Sequence, residues 1–426
     1  MPTATSDRSV LFIGVNYAPE PTGISPYTTG MAEGLAGRGY DVAVLTSYPH
    51  YPWWRVPEEH RSLPAHGEAN GVMVRRLRHY IPRHPSALRR ALFELSFGVR
   101  AVFARWGSPR TVVVVSPALL ASRLVAVRAR LQGIPLVTWV QDIYTLGVGQ
   151  ASDGTGGRLV ARVERSLADQ SERVVVIHDR FRSMFAEGVG TSTPIDVVRN
   201  WSHVPEVSDA RRAQTRRRMH WAEDDIIVLH AGAMGAKQGL ENVVHAAREA
   251  TRRGSHVRFV LLGDGNQRQH LESLGADPRL DFVDPLPDDR FLDTLAAADV
   301  LLANERPGLT EMSVPSKLTS YFATGLPVVA AVDATSTTSD EVLAAGAGPV
   351  VPAGDPIALV DAVETLARQP QVAAEYGAAG RAYRARNLTP DAALDAFEST
   401  LRIVAGRASA GLGRRRERVT TARRGD

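Results

Sequence analysis

Of the 50 basic residues in the chain, 48 are Arg and two are Lys, at positions 237 and 317. Arg presents a broad planar fork and Lys a compact point charge, so the two places that keep Lys invite a chemical reading. Lys237 stands in Ala231-Gly232-Ala233-Met234-Gly235-Ala236-Lys237-Gln238-Gly239, between an apolar stretch at 226–230 and a helical one at 240–252. Glycines and an ammonium ahead of a helix start suit an anion, because free N–H groups, the helix dipole and the charge all favour phosphate. The plainer reading is a tight turn with an exposed lysine. The spacing does not match GxxxxGK[ST], so ATP hydrolysis is not suggested. Lys317 stands in Val314-Pro315-Ser316-Lys317-Leu318, at the start of a helical stretch that Gly325 ends. Proline at a helix start and glycine past its end are the usual asymmetry, and they put Ser316 and Lys317 where phosphate or carboxylate binds well. A third loop, Gly263-Asp264-Gly265, follows an apolar stretch at 257–262. It lets a nucleotide lie against the backbone, or serves as turn chemistry alone.

Two further loops complete the set. Asn16-Tyr17-Ala18-Pro19-Glu20-Pro21-Thr22-Gly23-Ile24 follows the first apolar stretch. Its prolines fix an extended path, and Gly23 permits a close backbone approach. Trp139-Val140-Gln141-Asp142 ends another apolar run. A carboxylate there can accept a proton or bind hydroxyls, or can cap a helix or pair with a cation.

The elements that must carry these loops read as strand, loop, helix, repeated. Apolar, β-branched runs fall at 10–15, 42–46, 72–77, 111–115, 135–140, 174–177 and 195–198, and a second series at 226–230, 257–262, 280–283, 300–303 and 327–331. Continuous rather than alternating apolar runs predict parallel strands covered on both faces. The expected class is α/β, with two doubly wound domains facing a central cleft, where open sheets bind ligands beyond their strands' carboxyl ends. The expected boundaries are 1–205 for the first domain, 206–222 for a linker, 223–370 for the second domain, 371–406 for C-terminal helices and 407–426 for a disordered basic tail. The 426 residues contain no Cys, which removes disulfides, thiolate metal sites and cysteine nucleophiles. No apolar run is long enough for a membrane-spanning helix, and the start lacks signal-peptide features, so a cytoplasmic location is expected. No nucleic-acid recognition motif accompanies the pI of about 9.5, so nucleic acid is not an expected partner.

The ordered set of loops resembles bacterial GT-B glycosyltransferases of family 4, above all the exopolysaccharide (colanic acid fucosyltransferase type) and O-antigen group. Besides the loops above, Leu45-Thr46-Ser47-Tyr48-Pro49-His50-Tyr51-Pro52, Asn200-Trp201 and Pro315-Ser316-Lys317-Leu318-Thr319 carry the likeness, which spans roughly 9–400. It implies two Rossmann-like domains, with the C-terminal helices crossing back to the first. It implies transfer of a sugar from a nucleotide-sugar donor to a saccharide or lipid-pyrophosphate-linked acceptor, with retention and with no cofactor and no metal. Carried over residue by residue, Asp142, Lys237 and Lys317 are the catalytic candidates. Gly23, Gly232, Gly235, Lys237, Gly263, Asp264, Gly265, Glu311, Ser316, Lys317 and Ser320 would bind donor, and Tyr17, Glu20, Thr22 and His50 acceptor. Ala233 stands where the family usually has Arg, and Ser320 where it has the second of two Glu. A non-catalytic sugar-nucleotide-binding scaffold is the alternative. A dehydrogenase or epimerase is disfavoured, since neither GxGxxG after the first strand nor Tyr-x-x-x-Lys occurs.

One segment points elsewhere. Residues 75–110 hold nine Arg and a single acid, Glu94. Leu88, Leu92, Leu95, Val99 and Val102 share one helical face, with Phe93 and Phe97 off it. Either this face packs on the sheet and leaves a solvated basic side, or the helix docks on an anionic membrane surface.

Overall fold

The computed structural model describes residues 8–21, 23–84, 86–143, 155–202, 204–205, 207, 209–309 and 317–422, with only the backbone at 155, 156, 288 and 407–422. The chain divides into two compact units, Met1–Asn200 with Pro390–Asp426, and Trp201–Thr389.

Among the described residues, the first unit holds an eight-stranded sheet: β1 (Ser9–Ile13), β2 (Asp41–Ser47), β3 (His66–Ala69), β4 (Val72–Leu77), β5 (Thr111–Val115), β6 (Leu136–Val140), β7 (Arg173–Val176) and β8 (Ile195–Val197). Its order is β3-β4-β2-β1-β5-β6-β7-β8, parallel except for β3, which pairs antiparallel with β4. The sequence reading missed β3. It is joined to β4 through Asn70-Gly71, both at positive φ, the chemistry of a two-residue hairpin turn. Helices α1 (Ser25–Gly37), α2 (Ala87–Phe103), α3 (Leu119–Gln132), α4 (Thr155–Ala168) and α5 (Asp179–Val189) make the crossovers.

The α2 helix buries Phe93, Phe97, Gly98 and Ala101 and leaves Leu88, Leu92, Leu95, Val99 and Phe103 at the surface. Of the two readings of this helix, packing of the leucine face on the sheet does not hold, since that face looks outward. Gly98 sets this rotation: a Cβ there would lie 2.7 Å from Ala121 Cα, so α2 and α3 close on a glycine.

The second unit carries a six-stranded sheet, all parallel: β9 (Ile226–Ala231), β10 (Val257–Leu262), β11 (Leu280–Val283), β12 (Val300–Asn304), β13 (Val328–Ala331) and β14 (Val350–Val351), in the order β11-β10-β9-β12-β13-β14. The helices are α6 (Arg212–Arg218), α7 (Glu241–Arg253), α8 (Arg268–Ser273), α9 (Asp288–Ala297), α10 (Lys317–Thr324), α11 (Thr337–Ala345), α12 (Pro356–Arg368) and α13 (Pro370–Asn387). Strand residues alternate between two cores. Leu229, Val260, Leu301 and Ala330 pack with Leu295, Tyr321 and Phe322. Val228, Phe259, Leu302 and Val329 pack with Val243, Val244, Leu359 and Val363 on the other side. Both faces are thus covered, which is why the runs are continuously apolar.

Three expected boundaries shift. The stretch at 206–222 is no free linker. Its helix α6 belongs to the second unit, where Arg216 pairs with Asp299 at 3.1 Å and Arg212 donates to Ala296 O at 3.0 Å. The Arg-rich composition looked solvated, yet those guanidinium groups satisfy the end of α9. At the other end, α13 stays with the second unit, and the return to the first begins at Pro390. That last helix, α14 (Pro390–Ala422), continues through most of the stretch expected to be a disordered tail. Ala, Arg and Glu are strong helix formers and extend it. Its first turns grip the first unit: Arg38 Nη1 lies 2.6 Å from Asp395, and Phe397 stacks on Phe12 with centroids 5.9 Å apart.

Candidate active site

In the second unit, three loops knit together at the carboxyl ends of β9, β10 and β12. Gly232 N donates to Leu262 O at 2.9 Å, and Met234 N to Asp264 O at 2.9 Å. The fit is so close that a Cβ on Gly263 would lie 2.1 Å from Gly232 O, and one on Gly265 2.4 Å from Met234 O. Gly239, at φ +54°, turns the chain past the loop after β12, where a Cβ would meet Arg306 Cα at 2.8 Å. Asn304 ties the same corner by donating to Gln238 O at 2.7 Å and Gly239 O at 3.0 Å, and accepts from Asn242 at 2.8 Å.

What this framework leaves open is a surface whose unpaired donors suit an anion. Lys237 sits in a 3-10 turn (Ala236–Gln238), ahead of α7 rather than in its first turn, and is exposed. Among the described residues the N–H groups of Ala233, Ala236 and Lys237 find no acceptor. Gly232 is exposed at φ +128°, and a Cβ there would meet only Lys317 Cε, at 4.0 Å. Lys317, the first residue of α10, therefore packs against the loop that carries Lys237. Its Nζ donates to His230 Nε2 at 3.2 Å.

The electrostatics of that pair follow from burial. Loss of solvent lowers Lys317 from 10.5 to about 8, partly opposed by the Glu305 carboxylate. Burial first, and then the Lys317 charge, hold His230 well below its ordinary value, so it is a neutral acceptor. Glu305 follows directly on β12, and Thr338 at the start of α11 donates to it. Ser320 lies one turn after Lys317 on the same side of α10, half-buried.

In the first unit the loops after β1 and β2 are fastened to each other by Glu20. Its Oε1 accepts from His50 N at 2.7 Å and Tyr51 N at 2.9 Å, and Oε2 accepts from Asn16 Nδ2 at 2.8 Å. His50 Nδ1 lies 3.0 Å from Tyr48 O and 3.2 Å from Glu20 Oε1. Tyr17 is buried too, and its hydroxyl is pushed up by desolvation. Behind His50 lies His79, lowered to about 3 by burial and then by His50, with Ser47 Oγ 2.7 Å from its Nε2. Gly23 is exposed just before α1, at φ +68°, with the Tyr51 ring 3.1 Å from where its Cβ would be. At the end of β6, Ser116 Oγ accepts from Gln141 N at 2.9 Å and Asp142 N at 3.3 Å, and Asn200 Nδ2 donates to Gln141 Oε1 at 2.9 Å.

The structure thus brings Gly232, Gly235, Lys237, Gly263, Asp264, Gly265, Lys317 and Ser320 together in the second unit. Asp264 Oδ1 accepts from Gly265 N at 2.8 Å, so that carboxylate forms its own turn. Asp142 stands where expected, half-buried at a strand end. Tyr17, Glu20 and His50 are 3%, 4% and 2% exposed. The Glu20 carboxylate is spent on loop N–H groups, as buried acceptors are, while the buried Tyr17 hydroxyl has no hydrogen-bond partner among the described residues. Thr22, Glu311 and Ser316 lie outside the described residues. His230 and Glu305 were not foreseen, although each polar residue ends or directly follows an apolar strand beside a candidate loop.

Residues 22–201 match the family described as Glycosyl transferase 4-like domain, and residues 225–369 the family described as Glycosyl transferases group 1. Over 337 residues the chain is 32% identical to WcaI of Escherichia coli (strain K12), covering 74% of this chain and 81% of that one; the name of that protein places it among colanic acid biosynthesis glycosyl transferases. Two solved structures share the fold. HepE of Anabaena, in complex with UDP, superposes with a TM-score of 0.69 at 16% identity, covering 92% of this chain and 99% of that one. Sucrose-phosphate synthase of Thermosynechococcus elongatus does so with 0.67 at 18%, covering 93% and 99%.

Proposed function

Because the chain belongs to the GT-B glycosyltransferases of family 4, we propose that it is a retaining enzyme that moves a sugar from a nucleotide-sugar donor to a saccharide or lipid-linked saccharide in exopolysaccharide or other cell-envelope glycan synthesis. The observation that carries this reading is the two lysines of the whole chain meeting at one glycine-framed loop. A departing nucleoside diphosphate needs its developing negative charge stabilised, and fixed donors do this without reorganising. Lys237, Lys317 and the N–H groups of Ala233, Ala236 and Lys237 supply them. These cations supply charge stabilisation that a divalent ion would otherwise give, so no metal is required in this reading. The exopolysaccharide context is supported by the likeness to WcaI, and a uridine nucleotide is the first donor to try, since HepE is a UDP-bound relative in fold.

Among the described residues no pair of loop carboxylates offers an evident nucleophile and acid, so a covalent two-step route is not favoured. The acceptor instead attacks from the face that the diphosphate leaves. Asp142 orients the acceptor hydroxyl or takes its proton, a contribution of about 10²–10⁴-fold. The test is a screen of nucleotide sugars by thermal shift, then transfer to saccharide acceptors followed by proton NMR of the fresh product in EDTA. Kept anomeric configuration supports the proposal. An inverted product, or activity that EDTA abolishes and magnesium or manganese restores, overturns it. Donor binding with neither transfer nor hydrolysis would favour the scaffold alternative.

A further inference from the structure

Resting on the diphosphate reading above, we propose that His230 is a positioning residue for the transfer: it accepts one hydrogen bond from the Lys317 ammonium and leaves the other two N–H groups to the departing diphosphate. His230 is the last residue but one of β9 and is fully buried, with Nε2 3.2 Å from Lys317 Nζ. The helix that carries Lys317 is pinned to the same sheet. One turn on, the Tyr321 hydroxyl accepts from Ala231 N at 2.9 Å and donates to Leu302 O at 3.2 Å. Lys317 is therefore held at both ends, its backbone through Tyr321 and its ammonium by His230. A free lysine side chain is rich in rotamers. One already held in place has less freedom to lose when an anion arrives.

The chemistry of the acceptor matters as much as its place. A carboxylate held against Lys317 would cancel the charge that a diphosphate needs, and a protonated imidazole would repel the ammonium. His230 does neither, because burial first and the Lys317 charge second keep it neutral. Backbone groups of Leu302 and Ala233 favour a proton on the ring, but burial outweighs them. Its Nδ1 is buried and makes no hydrogen bond among the described residues. A histidine kept only for the fold would spend both ring nitrogens, as buried polar groups do. This one spends only the nitrogen that faces Lys317. Among the described residues, the titratable groups that act on Lys317 are His230 from β9 and Glu305 from the segment after β12. Glu305 raises Lys317 against the larger effect of burial, and itself accepts from Thr338.

The chain holds two lysines, so the full chain isotope-labelled at lysine Cε gives two NMR signals to follow through a pH titration, and Lys317→Met assigns them. Each variant is also measured for kcat/KM at pH 7 and for melting. Wild-type Lys317 should titrate near pH 8. His230→Leu should bring that midpoint down by about one pH unit, since a buried ammonium loses its acceptor, and should lower kcat/KM about tenfold. In the Lys317→Met background the same change should cost less than about twofold, because the two side chains act as one. His230→Gln keeps an acceptor and should recover most of the lost rate. His230→Glu should move the midpoint above that of the wild type and still lower kcat/KM, a combination that a merely structural role would not produce and that does not depend on how well the Leu variant folds. A Lys317 signal that titrates unchanged in His230→Leu and His230→Glu, or rate losses that multiply with that of Lys317→Met, would overturn this inference and leave the diphosphate reading standing. Lys317→Met with wild-type rates would overturn both.

Discussion

Replacing Lys317 by Met keeps the length of the side chain and removes its charge. If the ammonium meets a diphosphate, the variant loses one charge-assisted hydrogen bond, about 1.5–3 kcal/mol. At about 1.4 kcal/mol per factor of ten, kcat/KM at pH 7 should fall about 10–150-fold. The environment of Lys317 makes a sharper claim. Burial brings it to about 8, so in the free enzyme it gives up its proton above that pH. Because kcat/KM reports ionisations of the free enzyme, wild-type activity should decline above about pH 8 while Lys317→Met stays flat. The ratio of the two should shrink by about tenfold from pH 7 to pH 9. Lys317→Arg should not restore the wild type, since a planar fork must fit where Nζ now lies 3.2 Å from His230 and Cε packs near Gly232. The assay is initial-rate kinetics with the donor found by thermal shift. A ratio of variant to wild type that is constant across this pH range would refute the reasoning, and so would an Arg variant with wild-type rates.

Lys237→Ala should lower kcat/KM at least about tenfold with an unchanged melting curve, because the side chain is exposed, and Lys237→Arg should recover only part of it. Glu20→Ala should cost about 3 kcal/mol of stability by orphaning the His50 and Tyr51 amides; a variant that melts normally but fails only with acceptor would return Glu20 to the contact role. Gly263→Ala should destabilise the second unit by about 3 kcal/mol or more, since its Cβ would lie 2.1 Å from Gly232 O, a clash that only backbone movement relieves; thermal melts decide it. His79, lowered to about 3, is held neutral in the fold. As pH falls from about 6.5 toward 3 the unfolded chain takes up the proton first, so stability should drop by about 1.4 kcal/mol per pH unit from this residue, and His79→Gln should remove that part of the slope in urea titrations.

The parallel sheets were legible because burial on both faces leaves an unbroken β-branched run, as in Val112, Val113 and Val114, each fully buried. What escaped were elements whose sequence carries another signal. β3 is polar and exposed, and only Asn70-Gly71 betrays its hairpin. In α2, both Phe93 and the leucines follow helical spacing, so periodicity alone could not say which face is inside; Gly98 closing on Ala121 decides it. The α6 segment looked like a solvated linker because composition does not show that Arg212 and Arg216 satisfy Asp299.

Scarcity and glycine make different statements about a site. Gly263 and Gly265 were read as room for a nucleotide, but the structure spends them on loop-to-loop contact, at 2.1 and 2.4 Å from carbonyl oxygens of the Lys237 loop. A glycine states only that a Cβ would not fit, and a neighbouring backbone excludes it as well as a ligand does. A lysine in a chain otherwise cationic through Arg makes a narrower statement, because it asks for a small charge on a thin stem. That is what the pair provides: Lys317 packs against Gly232 and reaches a buried neutral histidine, and Lys237 stands exposed on a turn where, among the described residues, the Ala236 and Lys237 amides find no acceptor. The same logic applies to Glu20 and His50 in the first unit. Polar residues in a proline-bounded loop satisfy either a ligand or the loop itself, and their types do not distinguish the two. Here the loops after β1 and β2 contain amides that no strand partner can satisfy, and a buried carboxylate accepting from two of them is the local solution.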